Sequence, residues 1–368
     1  MDALEARIAF SMLNGINLAT GRELLRRMGS IEAVFEADEQ QMASVLGRKG
    51  GIASEELRRG IVRRAATEAA FVRSSNIRAL FFTDEDYPRR LLECEDAPAL
   101  VYTAGTTPLN NLRSVAIVGT RHCTAYGQDF TRRLVEELAE AYGKNIAIVS
   151  GLAYGVDVAA HKAALKAGLP TVGVMANALN TVYPAEHRDV AARIVRQGGM
   201  LMSEYSTDTR VHRGFFLARN RIVAGLADAV VVVESDLRGG AMSTARIAVA
   251  YGRELFAVPG RATDVYSRGC LDLLASRMAS VVRGADDIAE ALGWPRQTEG
   301  RQQELLLDLS PVQQSLVDHL RNHPEATVND ICVALGMSYA SLSSQLFELE
   351  MADVIMTVPG GRYAVLDR

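Results

Sequence analysis

Between residues 115 and 258 the chain repeats short, largely apolar runs: Val115–Val118, Ala147–Val149, Thr171–Met175, Met200–Met202, Ala229–Val233 and Leu255–Val258. In AVVVVES (Ala229–Ser235), five consecutive residues avoid water, so neither face of that strand can lie at a surface. Only a sheet covered by helices on both sides accommodates such runs. Helical periodicity separates them, at 126–142, 156–167, 185–197, 214–226 and 241–252. The repeated strand–helix rhythm predicts an α/β protein with a doubly wound, Rossmann-like parallel sheet. Its ligands would sit at the carboxyl ends of the strands.

Two different segments flank this region. Residues 1–74 read as helices only. Within them, LNGINLATGRELLRRMGSIEAVFEA (Leu13–Ala37) has a glycine turn followed by an i, i+3, i+4 apolar pattern, as in SAM-like or helix-hairpin-helix units. Such a turn can offer amides to a DNA backbone, or the bundle can serve only for packing. LGRKGGIASEELRRG reads as a flexible connection. The predicted core domain is 75–293, and residues 294–307, beginning WPRQTEGRQQE, form a polar linker. Residues 308–368 predict helix, helix, turn at Leu335-Gly336-Met337, helix, and a hairpin around Gly360-Gly361, which is a winged helix.

Composition narrows the function. The net charge is −4, so any site for a polyanion must be a local basic groove. There is no apolar run of membrane-spanning length, and MDALEARIAF carries acidic residues where a signal peptide would be basic. Cys94, Cys123, Cys270 and Cys332 are widely spaced, which fits a reducing cytoplasm better than a disulfide framework or zinc site. No membrane association is expected.

The strand-end loops carry the chemistry. VAIVGTRHCTAYG (Val115–Gly127) ends a strand in Gly119-Thr120-Arg121 and soon enters a helix. It lacks G-x-G-x-x-G, and the next strand ends in Ser150-Gly151 without the acidic residue a ribose requires. The chain also lacks G-x-x-x-x-G-K-[ST], so neither a dinucleotide site nor a P-loop is expected. What remains is a tight turn with a guanidinium beside a helix N-terminus, which suits phosphate. VSGLAYGVDVAAH (Val149–His161) is a second such junction, with Gly151 and Gly155 freeing the backbone. Asp157 and His161 share a helical face there, as a catalytic pair or part of a metal site would; because no further ligand follows at a recognisable spacing, the expected arrangement is a carboxylate cap with a hydrogen-bonded histidine that shapes the loop. RVHRGFFLARNRIVAGLAD (Arg210–Asp228) places Arg210, Arg213, Arg219 and Arg221 around Phe215 and Phe216. Arginines beside aromatics suit single-stranded nucleic acid, the cations following phosphates and a ring stacking on a base. One of the two Phe is expected in the core. Finally, Gly239-Gly240 precede a helix with Ser243-Thr244 in its first turn. Phosphoribohydrolases of related fold have P-G-G-x-G-T-x-x-E at this junction. Here Arg238 replaces the proline, Met242 a glycine and Arg246 the catalytic carboxylate, which argues against nucleotide hydrolysis.

The ordered motifs VGTR, SGLAYGVDVAAH, VYPAEH, FLARNRIVAGL, GGAMSTA and AVPGR, with the lead-in DYPRRLLECEDAPALVYTAG (Asp86–Gly105), resemble the DNA-processing protein A (DprA/Smf) family over about 200 residues. The resemblance implies an extended Rossmann domain that binds single-stranded DNA, forms a homodimer and loads a RecA-type recombinase in natural transformation. Flanking helical and winged-helix domains are similar to those of some members. By position, Gly119, Thr120 and Arg121 match the family's G-[ST]-R phosphate contact, and Ser150, Gly151 and Gly155 lie in its S-G-L-A loop region. Arg213 falls at a basic DNA contact and Phe216 at a base-facing aromatic; Arg219, Asn220 and Arg221 match R-N-R. Gly239 and Gly240 complete the nucleic-acid site. Three stretches depart from the pattern: MANALNTVYP where G-x-G-L-D is usual, Leu217 for a proline, and GCLDLLASRMA for G-C-N-x-L-I-x-x-G-A.

The implied protein is no enzyme: no catalytic residue, metal or cofactor is assigned. The rival is a nucleotide-processing enzyme or a metal-dependent nuclease, resting on Asp157, Glu204 and Glu234 as possible Mg²⁺ ligands. From Ser310 onward, seven acids (Asp318, Glu325, Asp330, Glu348, Glu350, Asp353, Asp367) face three bases (Arg321, Arg362, Arg368), a balance of 3 − 7 = −4. SYASLSSQLFELE, the would-be recognition helix, has no Lys or Arg. Since duplex affinity comes largely from phosphate neutralisation, this domain is expected to bind protein.

Overall fold

The structure, a computed structural model, describes residues 1–47, 51–295, 310–323, 326–351, 354–358 and 362–365. Most of the expected linker (296–307), the Gly360-Gly361 turn, Glu325, Asp353, Asp367 and Arg368 lie outside the described residues. Two compact units form, Met1–Gln297 and Thr298–Arg368.

Unit 1 begins with five helices: α1 (Ala3–Ser11), α2 (Leu18–Met28), α3 (Ile31–Glu36), α4 (Glu39–Leu46) and α5 (Glu55–Ser74). The sheet region then runs β1 (Ile77–Phe81), α6 (Arg89–Leu92), β2 (Leu100–Gly105), β3 (Arg113–Val118), α7 (Ala125–Tyr142), β4 (Ile146–Ser150), α8 (Val156–Ala167), β5 (Thr171–Val174) and α9 (Arg188–Arg196). It continues with β6 (Met200–Ser203), α10 (Arg213–Ala218), α11 (Asn220–Gly225), β7 (Ala229–Val232), α12 (Gly240–Ala250), β8 (Glu254–Ala257), α13 (Arg268–Ala275), β9 (Ser280–Val281) and α14 (Ala285–Ala291).

The nine strands lie in the order β1-β2-β6-β5-β4-β3-β7-β8-β9. From β6 to β9 every pairing is parallel, and β2 joins β6 antiparallel, as β1 joins β2. The six apolar runs are all strands, and both faces are covered. Ala116, Val118, Val149, Val230 and Val232 enter one core, while Val115, Ile117, Ile148, Ala229 and Val231 enter the other. Sequence periodicity did not separate β1 and β9, the two edge strands, or β2, the antiparallel strand between β1 and β6. From β3 the winding proceeds through β4, β5 and β6 on one side and from β7 through β8 and β9 on the other. The switch point, where such folds open a crevice, therefore falls between β3 and β7.

The N-terminal helices share a continuous apolar core with one sheet face, through Ile8, Phe10, Leu18 and Val72 among others. The helix-hairpin-helix expectation has a specific outcome here. Asn17 caps α2, and the first amides of that helix, Leu18 N and Ala19 N, donate to the carbonyls of Ala97 and Glu95 at 2.7 and 3.0 Å. Two amides that such a turn could offer a phosphate are thus engaged inside the protein.

The described residues of unit 2 form α15 (Pro311–Asn322), α16 (Val328–Leu335), α17 (Tyr339–Met351) and the antiparallel pair β10 (Ile355–Val358) and β11 (Arg362–Val365), the order expected of a winged helix. Gly336, at φ +64°, ends α16 at the anticipated turn. On α17, Tyr339, Phe347 and Met351 are exposed, at successive or doubled four-residue spacing.

Candidate nucleic-acid interface

The carboxyl edge of the sheet is organised by backbone contacts around the Gly119 turn. Thr120 N donates to Glu234 O beyond β7 (2.7 Å), and Thr120 O accepts from Val156 N at the start of α8 (3.2 Å). Gly155 lies at φ +75°, and a Cβ there would fall inside contact distance of Thr120 O, so glycine is required on both counts. Ser150 is buried beneath the turn, its hydroxyl donating to Ile117 O at 2.6 Å. Gly155 and Ser150 thus shape the site from behind its wall.

Below Gly151 lies a buried polar cluster. Asp157 accepts from Gly151 N and Ala153 N at 3.2 and 3.4 Å, which fixes the loop after β4. Arg219 donates through one guanidinium nitrogen to Gly151 O and, at 2.5 Å, to Val174 O, joining the ends of β4 and β5. Burial raises the pKa of Asp157, opposed by Arg219; burial lowers that of Arg219, opposed by Asp157. A guanidinium remains charged nonetheless. His161 is fully buried with Nδ1 2.7 Å from the Thr171 hydroxyl, and desolvation, with Arg219 nearby, depresses its pKa to about 3. Asp157 is therefore a loop-shaping acceptor rather than the expected helix cap, since no side chain caps α8 and both amides it receives precede that helix, and His161 is a neutral core residue.

Above this floor is a cleft of about 380 Å³ at the switch point. Gly119, Thr120, Arg121, Gly151, Phe216, Arg219, Asn220, Gly239 and Gly240 all line it. Nine of the thirteen sequence-assigned residues, from four separate loops, thus come to one place. Arg121 is exposed, has no ion pair among the described residues, and lies with its guanidinium carbon 5.6 Å from the Phe216 ring centroid.

Three expectations are corrected. First, the helix after the Gly119 turn has its N-terminus occupied: Glu234 accepts from Thr124 N (2.9 Å) and the Thr124 hydroxyl (2.5 Å). An internal carboxylate sits where an anion would bind. Helix α12 supplies the alternative, because its N-cap is Gly239, no side chain caps it, and its first residues line the cleft. Second, the arginines of R-N-R part company. The helix expected at 214–226 breaks into α10 and α11 at Arg219, which drops into the floor. Arg221 instead pairs with Glu204 at 2.6 Å, away from the cleft lining. Neither is a solvent-facing cation. Third, neither Phe215 nor Phe216 is in the core. Both are half-buried, Phe215 stacking on Tyr205 with centroids 4.1 Å apart and Phe216 facing the cleft. Arg213 is exposed at the start of α10, outside the cleft lining.

Sequence reasoning gave no role to His122, Asp236, Arg238 or Tyr266 in the cleft wall. His122 and Arg238 adjoin assigned residues and were within reach of the loop argument. Tyr266 comes from a turn with no signal of its own, and it faces His122 with centroids 6.1 Å apart. In the MANALNTVYP departure, Asn177 replaces glycine freedom with side-chain bonds, donating to Ala178 O and Thr181 O at 2.9 Å. The carboxylates considered for Mg²⁺ are engaged separately, and no group of three or more metal-ligating side chains converges among the described residues. No described helix is long and apolar enough to cross a membrane.

A family model described as DNA recombination-mediator protein A matches residues 78–293, and one for the DprA winged helix domain matches residues 301–361. A Mycobacterium tuberculosis relative bearing the DprA name is 35% identical over 359 residues, covering 93% of this chain and 89% of the relative. Among solved structures, DprA of Streptococcus pneumoniae superposes with a TM-score of 0.64 at 27% identity, over 79% of this chain and 98% of that one. DprA of Helicobacter pylori, a structure described for its single-stranded DNA binding mode, does so at 0.52 and 34% identity, over 59% and 95%.

Proposed function

Because the chain belongs to the DNA recombination-mediator protein A family, we propose that it binds single-stranded DNA in the cleft between β3 and β7. The observation that carries this reading is the convergence of the Gly119 turn, Arg121, Phe216 and the uncapped start of α12 in one cleft. Arg121 and the α12 amides take phosphate oxygens, while Phe216 meets a base. Gly119, Thr120, Gly151, Asn220, Gly239 and Gly240 form the walls; Ser150, Gly155 and Arg219 hold them in place. Arg213, exposed and without an ion pair among the described residues, serves a strand leaving the cleft.

In this reading the protein is a non-enzymatic cytoplasmic mediator. It protects incoming single strands in natural transformation, works as a homodimer through the sheet domain, and hands DNA to a RecA-type recombinase. Its parts are the helical segment 1–74, the DNA-binding domain 75–293, the linker 294–307 and the winged helix 308–368. The exposed apolar side chains of α17 and its lack of Lys and Arg support a protein-docking role for the winged helix. The test is a fluorescence-anisotropy titration of labelled single strands and duplex at two salt concentrations. Single strands should bind more tightly, with a log–log salt slope of about −0.7 per phosphate neutralised. Equal, salt-insensitive affinities would defeat the reading.

A further inference from the structure

Beside the cleft is a shallow depression of about 10 Å³, too small to enclose a base, so that a partner would lie across its rim. It shares Arg121, Gly151 and Phe216 with the cleft and adds Tyr154 and Tyr183, neither of which has a role so far. Both tyrosine rings are open to water, with relative exposures of 40% and 53%. A large aromatic gains most when covered, so two open rings at one depression need an explanation.

Both are also held in place. Tyr183 meets Phe216 edge-on, with centroids 5.3 Å apart and planes at 62°. Tyr154 meets His187 in the same manner at 5.0 Å and 64°, and His187 is itself buried with Nδ1 2.8 Å from Leu152 O. The Tyr154 hydroxyl donates to Glu186 at 2.8 Å. Rings fixed by edges and by a hydroxyl bond, yet left open to water, are arranged for a flat partner. The charges divide the cleft from the depression. Arg121 stands where they join, whereas Glu186 stands beside Tyr154 and repels phosphate.

We propose that Tyr154 and Tyr183 form a stacking seat for the nucleobase adjoining the phosphate that Arg121 holds. The ligand is a single-stranded polynucleotide, recognised by the face of any base and so without sequence preference. This rests on the single-strand reading given above. It extends the bound stretch beyond the main cleft, towards the MANALNTVYP loop, one of the three departures from the family pattern.

The test uses the full chain and a labelled oligonucleotide, comparing Tyr183→Ala, Tyr154→Ala, Tyr154→Phe and Arg121→Ala. Each tyrosine-to-alanine change should weaken binding by roughly five- to hundredfold while leaving the salt slope unchanged, because a stacking partner is lost and no phosphate contact. Tyr154→Phe keeps the ring and should bind within about twofold of wild type. With an oligonucleotide no longer than the bound stretch, an abasic position at the tyrosine seat should reduce wild-type affinity to that of Tyr183→Ala and leave the variant unaffected, whereas one opposite Phe216 should weaken both. Thermal unfolding checks that the variants are folded. Wild-type affinity in both alanine variants, with binding lost in Arg121→Ala, would overturn the stacking seat and leave the single-strand reading intact. If Arg121→Ala also binds normally, the single-strand reading itself fails.

Discussion

Arg219 and Arg121 lie within one cleft lining yet should fail in different ways when removed. Arg219 is 5% exposed and donates to two buried carbonyls, Gly151 O and Val174 O, from different strand ends. Arg219→Ala leaves both acceptors without this donor and Asp157 without its nearby countercharge. Removing one member of such a buried charge network costs about 3–5 kcal/mol. At about 2–4 °C per kcal/mol for a domain of this size, the melting temperature should fall by about 6–20 °C. Arg121 is exposed and has no ion pair among the described residues, so Arg121→Ala should change stability by no more than about 0.5 kcal/mol. Its effect belongs to binding: affinity should fall and the salt slope should flatten by about 0.7, one phosphate contact. Calorimetric melting combined with anisotropy titrations at several salt concentrations separates the two. A wild-type melting temperature for Arg219→Ala would refute the clamp. So would a folded Arg219→Ala protein whose salt slope drops by one phosphate, since that would make the residue a direct ligand.

Other substitutions probe the remaining parts. A Cβ added at Gly240 meets no atom within 4 Å, so Gly240→Ala should fold normally but crowd the α12 seat, lowering oligonucleotide affinity several-fold in the anisotropy titration. Gly155→Ala combines a positive φ with a clash on Thr120 O and should lower the melting temperature as well as affinity. Glu234→Ala removes the acceptor at the start of α7 and should cost about 1–2 kcal/mol in denaturant unfolding. His161 has a folded pKa of about 3 against an unfolded 6.5, so its contribution is fully present above pH 6.5 and is lost as pH falls towards 3. Stability should decline by up to about 1.4 kcal/mol per pH unit in that window. In His161→Gln the pH dependence of melting should be correspondingly shallower. Single-strand binding should persist in EDTA; a strict Mg²⁺ requirement would return the carboxylates to consideration.

Local pattern was enough to specify much of this protein. The doubly apolar runs required a parallel sheet covered on both sides, and glycines at strand ends located the loops that meet over it. Their order carried the family resemblance. Pattern could not say which charges face water. Arg219 and Arg221 are two residues apart in one motif, yet one enters the floor and the other pairs with Glu204, because Arg219 keeps helical dihedrals and side chains two positions apart on a helix point to opposite sides. Likewise α7 and α12 both begin after glycine-containing turns, and only the folded chain brings Glu234 back to Thr124, 110 positions earlier, to close one and leave the other uncapped. Hydrophobic periodicity is a property of neighbouring residues and survives in the sequence. The partner of a charge or an amide is chosen through space, by the tertiary fold, and that choice decided which helix start is met by a carboxylate and which is left uncapped.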